Sequence, residues 1–549
     1  MAQQVKAGSL AAEVFRREGV RYVFGIPGGH IYPLMEGCEQ RGIRFIGVRD
    51  EMTAAFAAEG WALTTGEMGV CTATAGPGVT NMWTGMANAK SGGCPVTYFG
   101  GRARVREFDR NELQDFEQVG ISAELCKYAR AVADPHRLPE YVAQAVAQAT
   151  TGRPGPAYVE MPRDLMEQEI DADTPIPAVP HAGGVLADPA SIEAAAKMIQ
   201  AAQRPLLIIG GGAWWSQAQD ELQAFVEQTG IPFFTRNAGR GIIPDSHSLY
   251  AGVGYNHPVL QQALQASDLA IVVGTRPGFT LSRNVFPSGL NIIRIDIDAA
   301  EVANQLDVAL PVVGDVKAVI GQLRAALPPQ PPEAAAAVAG WVASLKAGAQ
   351  QAAQAFAAAA ASDASPIHPL RLMTEIARRV DQNTIVVLDG GDVATWGVLT
   401  LPALGPGQLL GIAHNSFGPL GVGMGYSIAA KLAHPEKKVI HVTGDGAFGY
   451  GAMEYDTCMR YGIDITTIIL NDKEWGMIKR SEAKKSAGVD LVGLDLRETH
   501  YEKVVEALGG HGEFVTAAAD IGPAIDRALA CGKPSCVNVM TDPQFGPPM

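Results

Sequence analysis

The chain has 549 residues, 47% of them hydrophobic and 62 of them glycine, enough for about three domains with buried cores and many tight turns. A formal net charge of −14 and a pI near 5.3 argue against nucleic acid or an anionic membrane as partner. No apolar run of about 18 residues suggests a membrane span, residues 1–10 lack the apolar core of a signal peptide, and seven cysteines without CxxC spacing fit reduced thiols, so a cytoplasmic enzyme is expected.

Residues 22–25, 45–48, 69–73 and 96–99 read as strands, with helical stretches such as 52–64 between them. Pro175, Pro177, Pro180 and Gly183-Gly184 mark a first seam. Beyond it, residues 206–212, 270–274 and 292–296 read as strands of a middle domain. The second seam, Pro328-Pro329-Gln330-Pro331-Pro332, runs into the alanine-rich stretch 334–361, whose composition favours a covering helix. Residues 384–389, 439–446 and 468–472 then read as strands and strand ends, with a helix over 450–461. This alternation predicts three doubly wound parallel-sheet α/β domains, over 1–170, 190–327 and 365–549. No short internal repeat relates them.

Two strand ends carry chemistry. One apolar run closes in Gly444-Asp445-Gly446 and the next in Asn471-Asp472. Ligands of parallel sheets bind outside the carboxyl ends of strands, where both motifs fall. Two hard oxygen ligands beside a glycine turn that exposes backbone N–H groups suit a divalent cation carrying a diphosphate. Taken alone, Gly-Asp-Gly is also a common strand-to-turn boundary. Gly210-Gly211-Gly212 could cradle a dinucleotide phosphate, but without full GxGxxG spacing a tight strand-to-helix turn is the simpler reading.

Taken together, the two strand ends resemble the metal–diphosphate motif of thiamine-diphosphate enzymes, with Asp472 where the family usually has a second asparagine. Phe24-Gly25-Ile26-Pro27-Gly28-Gly29, Arg49-Asp50-Glu51, Ala58-Glu59-Gly60 and Ala75-Gly76-Pro77-Gly78 resemble the pyrimidine-binding domain of the acetolactate-synthase-like members. The order matches across nearly the full chain. The resemblance implies bound thiamine diphosphate and Mg²⁺, with Asp445, Asp472 and Glu474 at the metal, Glu474 through its backbone carbonyl. It places Gly444, Ala447, Phe448 and Asp392 at the diphosphate; for Asp392 and Ala447, ordinary turn residues are the alternative. Gly418 and Leu420 would bind the pyrimidine by their backbone, leucine standing where relatives most often carry methionine. Trp475 would wall the substrate cavity or simply pack.

By the same resemblance Glu51 hydrogen-bonds N1′ of the aminopyrimidine; a helix cap is the alternative for this residue. His30 and Gln114 match positions where carboligases set polar groups against a bound carbonyl, with a backbone-satisfied histidine as the alternative for His30. Benzaldehyde lyase has a histidine there, acetolactate synthase typically a small apolar residue. The segment 274–281 departs from the Arg-Phe-Asp-Asp-type stretch of acetolactate synthase and from the Arg-Leu-Asn-Trp-type stretch of the CoA enzymes. The implied activity is a carbon–carbon lyase or carboligase that makes or cleaves 2-hydroxy ketones from aldehydes or 2-oxo acids, closest in look to benzaldehyde lyase and 2-hydroxyacyl-CoA lyase. A 2-hydroxyacyl-CoA lyase, an acetolactate synthase-like pyruvate carboligase and a catalytically silent relative are the alternatives. FAD, ADP or no nucleotide in the middle domain stays open. A homodimer or homotetramer with shared active sites is implied.

Overall fold

The structure is a computed structural model and describes residues 3–181, 183–255, 257–302, 304, 306–329, 332–485 and 490–548. Gln330 and Pro331 of the second seam lie outside them. β-branched and aliphatic runs bounded by glycine build three six-stranded sheets, each wholly parallel and flanked by helices. The first has the order Arg44–Gly47, Tyr22–Gly25, Gly69–Ala73, Val96–Arg102, Ala157–Pro162, Tyr128–Ala131. The second runs Tyr250–Val253, Phe233–Thr235, Pro205–Ile209, Leu269–Val273, Asn291–Asp296, Leu310–Val313. The third runs Leu409–Gly411, Thr384–Asp389, Lys438–Gly444, Thr466–Asn471, Ser535–Met540, His511–Val515.

Each sheet is wound outward in one direction and then restarted in the other, which fixes where ligands can bind. The chain leaves Tyr22–Gly25 on one side and returns on its other side at Gly69–Ala73. The same reversal separates Pro205–Ile209 from Leu269–Val273, and Thr384–Asp389 from Lys438–Gly444. At such switch points the two flanking loops diverge and leave a crevice outside the carboxyl ends of the strands. The protein therefore has three built crevices.

Two expectations need adjustment. The helix expected over 450–461 begins only at Glu454 (Glu454–Tyr461), because Asp445–Phe448 forms its own short turn and Gly449 and Gly451 break the path. A Cβ on Gly451 would come within 2.8 Å of Met424, so the chain must pass close there. The alanine-rich stretch forms two helices, Pro332–Ala355 and Ala357–Ala360. The long one covers the middle sheet through Trp341 and Leu345, and Trp341 Nε1 donates to the Pro205 carbonyl at 3.0 Å.

The first and third domains share one core. The helix Glu51–Thr65 packs on Val422–Ala433 so closely that a Cβ on Gly60 would lie 2.6 Å from Tyr426 Cα, and one on Gly425 would lie 2.7 Å from Phe56 Cβ. The middle sheet is buried in apolar clusters of its own. All seven cysteines are free, and among the described residues no helix is long and apolar enough to cross a membrane.

Candidate active site

The first-domain crevice is built by the loops after Tyr22–Gly25, Arg44–Gly47 and Gly69–Ala73. Glu51 opens the helix Glu51–Thr65 but does not cap it; the Asp50 side chain accepts the Met52 N–H at 2.8 Å and takes that task. Glu51 is instead buried, with the helix dipole favouring a carboxylate in the first turn. Asn81 Nδ2 donates to its Oε2 at 3.0 Å, and among the described residues Oε1 has no donor. That free oxygen lies 3.4 Å from where a Cβ on Gly78 would stand, and Thr74 Cγ2 lies 3.0 Å from the same point. Glu51 and Thr74 therefore border one space, which the missing side chain of Gly78 leaves open.

Thr74 joins the two expected polar groups. Its Oγ1 lies 2.9 Å from His30 Nδ1 and 3.4 Å from Gln114 Oε1. Thr74 Oγ1 donates to one of these neighbours and accepts from the other, so the three side chains form one line and the direction of the Thr74 proton sets the His30 tautomer. Nε2 has no protein partner among the described residues, which removes the backbone-satisfied reading. Burial, reinforced by the Arg163 guanidinium, lowers the His30 pKa and keeps the ring neutral. Gln114 sits at φ 63°, half-buried, its backbone against Gly76.

The third-domain crevice gathers acid. Asp445, at the carboxyl end of Lys438–Gly444, is held by the Gly446 and Lys473 amides at 3.0 and 3.1 Å. Burial, followed by the charge of Asp472, pushes its pKa up to about 7; burial pushes Asp472 up to about 6. Two such carboxylates, one raising the pKa of the other, could hold a cation. Asp392 is ion-paired with Arg480, whose Nη1 also lies 3.8 Å from Asp472 Oδ2. One oxygen of the Glu474 side chain, Oε1, accepts Lys479 Nζ at 2.5 Å.

The turn around these acids is tightly seated. A Cβ on Gly446 would meet the Trp475 ring at 2.6 Å, so the indole lies directly on the Gly444-Asp445-Gly446 turn. Ala447 faces Gly390, while the Phe448 ring is buried against Tyr455 and Tyr501 and offers the crevice only backbone. Gly418, at φ 67°, has open space on its Cβ side, and Leu420 is half-buried at the edge of the core shared by the first and third domains. Asp389 fixes this segment: its carboxylate accepts the amides of Gly390, Gly421 and Gly423 at 2.7, 3.0 and 2.9 Å.

The segments that carry these groups coincide with known families. The family described as thiamine pyrophosphate enzyme, N-terminal TPP binding domain, matches residues 5–121; its central domain matches 192–323 and its C-terminal TPP binding domain 389–539. An acetolactate synthase large subunit of Mycobacterium tuberculosis is 34% identical, over 100% of this chain and 98% of the relative. A 2-hydroxyacyl-CoA lyase of Arabidopsis thaliana is 29% identical over 98% and 96%, and 2-hydroxyacyl-CoA lyase 1 of Homo sapiens 29% over 99% and 95%. The chain belongs to the acetolactate synthase-like thiamine-diphosphate enzymes. Its residues fit that cofactor: paired buried acids for a metal–diphosphate in one domain, and a buried carboxylate with one free oxygen in the other.

The middle crevice of this thiamine-diphosphate enzyme opens into a cleft of about 900 Å³ between the domains, lined by Gly211, Gly212, Arg236, Thr275 and Arg276 among others. The glycine run is required by packing, since a Cβ on Gly210 would meet Thr275 at 2.2 Å and one on Gly212 would meet Gly274 at 2.7 Å. Thr74, Asn81, Asp389 and Arg480 were not singled out from the sequence. Thr74 and Asp389 each end or follow a strand beside a recognised motif, a signal that was available; Asn81 and Arg480 sit mid-helix and give none.

Proposed function

We propose that this enzyme is a Mg²⁺-dependent carbon–carbon lyase or carboligase that makes or cleaves 2-hydroxy ketones from aldehydes or 2-oxo acids. When bound, thiamine diphosphate supplies a carbon nucleophile and an electron sink at its thiazolium ring. Asp445, Asp472 and the Glu474 carbonyl would hold the metal, and the backbone from Gly444 to Phe448, with Asp392, would face the diphosphate. Gly418 and Leu420 would position the pyrimidine, and Glu51 would hydrogen-bond its ring nitrogen. Trp475 walls the cavity.

The observation that carries the choice of chemistry is the His30–Thr74–Gln114 line beside Glu51. A neutral imidazole whose Nε2 has no partner among the described residues can exchange a hydroxyl proton with a substrate when a carbonyl bond forms or breaks. Gln114 polarises and orients the carbonyl partner. Such groups serve a hydroxy-ketone substrate better than a pure decarboxylation. In support of a second reading, 2-hydroxyacyl-CoA cleavage, the inter-domain cleft is large enough for the nucleotide of a CoA thioester and offers Arg236 and Arg276. An FAD or ADP would be held there by the same residues.

A product screen decides between these readings. Pyruvate, benzaldehyde, formaldehyde and glyoxylate are offered singly and in pairs, with and without a 2-hydroxyacyl-CoA. Acyloin formation or cleavage without CoA supports the first reading. Activity confined to the thioester moves the assignment to the second, and no turnover of any donor, with cofactor bound, refutes both.

A further inference from the structure

A second set of ligand atoms lies two turns along the helix from Glu51, about 12 Å away by helical rise, buried between the first and third domains. Glu59, Cys94 and His414 each present one donor atom, all within 4.8 Å of one another. His414 Nε2 is 3.1 Å from Glu59 Oε1 and 3.9 Å from Cys94 Sγ. Glu59 and Cys94 are 0% exposed and His414 9%. Donors around a tetrahedral zinc, at bond lengths of about 2.3 Å to sulfur and about 2.0–2.1 Å to nitrogen or oxygen, stand roughly 3.3–3.6 Å apart. The two separations from Nε2 bracket that range, and the third is within 4.8 Å.

The surroundings are those of a ligand set. His414 Nδ1 donates to the Gly411 carbonyl at 2.7 Å, which fixes the ring and turns the Nε2 lone pair inward. Asn88 Nδ2 holds the other Glu59 oxygen at 2.6 Å. The Asn415 amide is oriented by the Phe417 N–H on its Oδ1 and by its own bond to Asn88 Oδ1, and it donates to Nε2 at 2.8 Å. Nε2 and Glu59 Oε1 thus face each other at 3.1 Å, a pair that either a shared proton or a metal cation satisfies. A Cβ on Gly92 would lie 2.9 Å from both Cys94 Sγ and His414 Nε2, so this glycine keeps one side of the cluster clear. Gly92, His414 and Asn415 also line the inter-domain cleft, which gives an entry path.

We propose that Glu59, Cys94 and His414 bind one Zn²⁺, with the fourth position turned to the cleft and filled by water. Mixed sulfur, nitrogen and oxygen donors select zinc over Mg²⁺, which takes oxygen. On ligation the Cys94 thiol proton leaves to solvent, and the ion takes the Nε2 lone pair from Asn415, which keeps its bond to Asn88. Thiolate and carboxylate together neutralise the dication, so the site adds no net charge to a buried place. The ion would tie the first domain to the segment that leads into Gly418 and Leu420. The proposal does not rest on the reaction assigned above.

The test uses the full-length protein with Mg²⁺ and thiamine diphosphate, dialysed against zinc-free buffer. One equivalent of zinc per chain by mass spectrometry is expected, lost in Cys94→Ser and in His414→Ala and retained in Asp445→Ala. Co²⁺ added to metal-stripped wild type should give a thiolate-to-cobalt charge-transfer band that Cys94→Ser lacks, a readout that stands even where a variant folds poorly. A folded wild type with neither zinc nor the cobalt band overturns the proposal. So does zinc that persists in both ligand variants or vanishes with Asp445→Ala.

Discussion

Glu51 offers one oxygen to Asn81 and, among the described residues, the other has no donor. In Glu51→Gln the amide oxygen can still accept from Asn81, and the NH₂ group then points to the open space as a donor where an acceptor is needed. The fold and cofactor binding should persist while turnover falls by a factor of about 10² or more. Exchange of the cofactor's C2 proton, followed by NMR, is the check; near-normal exchange would remove Glu51 from its assigned role. The acid pair yields a pH prediction. With carboxyls at about 7 and about 6, protons compete with Mg²⁺ at Asp445 and Asp472, so affinity should rise with pH through that window. Asp472→Asn removes one charge facing Asp445, which lowers the remaining carboxyl and shifts the binding profile to lower pH. Calorimetric titration with Mg²⁺ and thiamine diphosphate at pH 6 and pH 8 should show wild type losing more affinity on acidification than the variant. A variant that binds no metal would make the carboxylate indispensable.

At the scale of elements, the contact between the helices Glu51–Thr65 and Val422–Ala433 depends on glycine. Gly60→Ala or Gly425→Ala places a methyl group 2.6–2.7 Å from heavy atoms of the facing helix and should cost about 1–3 kcal/mol. Gly321 lies in the helix Val316–Ala326, and among the described residues a Cβ there would meet no neighbour within 4 Å, so Gly321→Ala should instead stabilise by about 0.5–1 kcal/mol. Urea unfolding of the three variants would separate packing from propensity; equal effects would refute the tight crossing. The sheets were legible because apolar β-branched runs such as residues 384–389 end sharply at glycine or acid, and the switch points follow once strand order is known. What the sequence hid is of two kinds. Gly449 and Gly451 shortened a helix that its periodicity extended to residue 450. Side-chain partners such as Arg480 for Asp392, and Asn81 for Glu51, are brought together by tertiary packing and leave no local pattern.

For the whole molecule, the two halves of the proposed site lie in different domains, and exposed apolar side chains stand near both in sequence. Tyr32, Leu113 and Phe116, beside His30 and Gln114 in sequence, are 59%, 72% and 45% exposed. Phe417, Tyr450, Met453 and Ile478, next to the third-domain segments, are about half exposed. Exposed large apolar residues are what a surface that meets another copy of the chain carries. We therefore infer a homodimer, or a tetramer of two dimers, in which the first domain of one subunit closes on the third domain of the next. Glu51→Gln and Asp445→Ala should each be inactive alone. Co-refolded as a mixture, they form hybrids in which one site carries both lesions and the other carries neither, so up to about a quarter of wild-type activity should return for random pairing. Activity of the mixture against the ratio of the two variants, with the oligomeric state read by light scattering, tests this. An active monomer at micromolar dilution, or mixtures that stay inactive at every ratio although hybrids form, would show that each chain completes its own site.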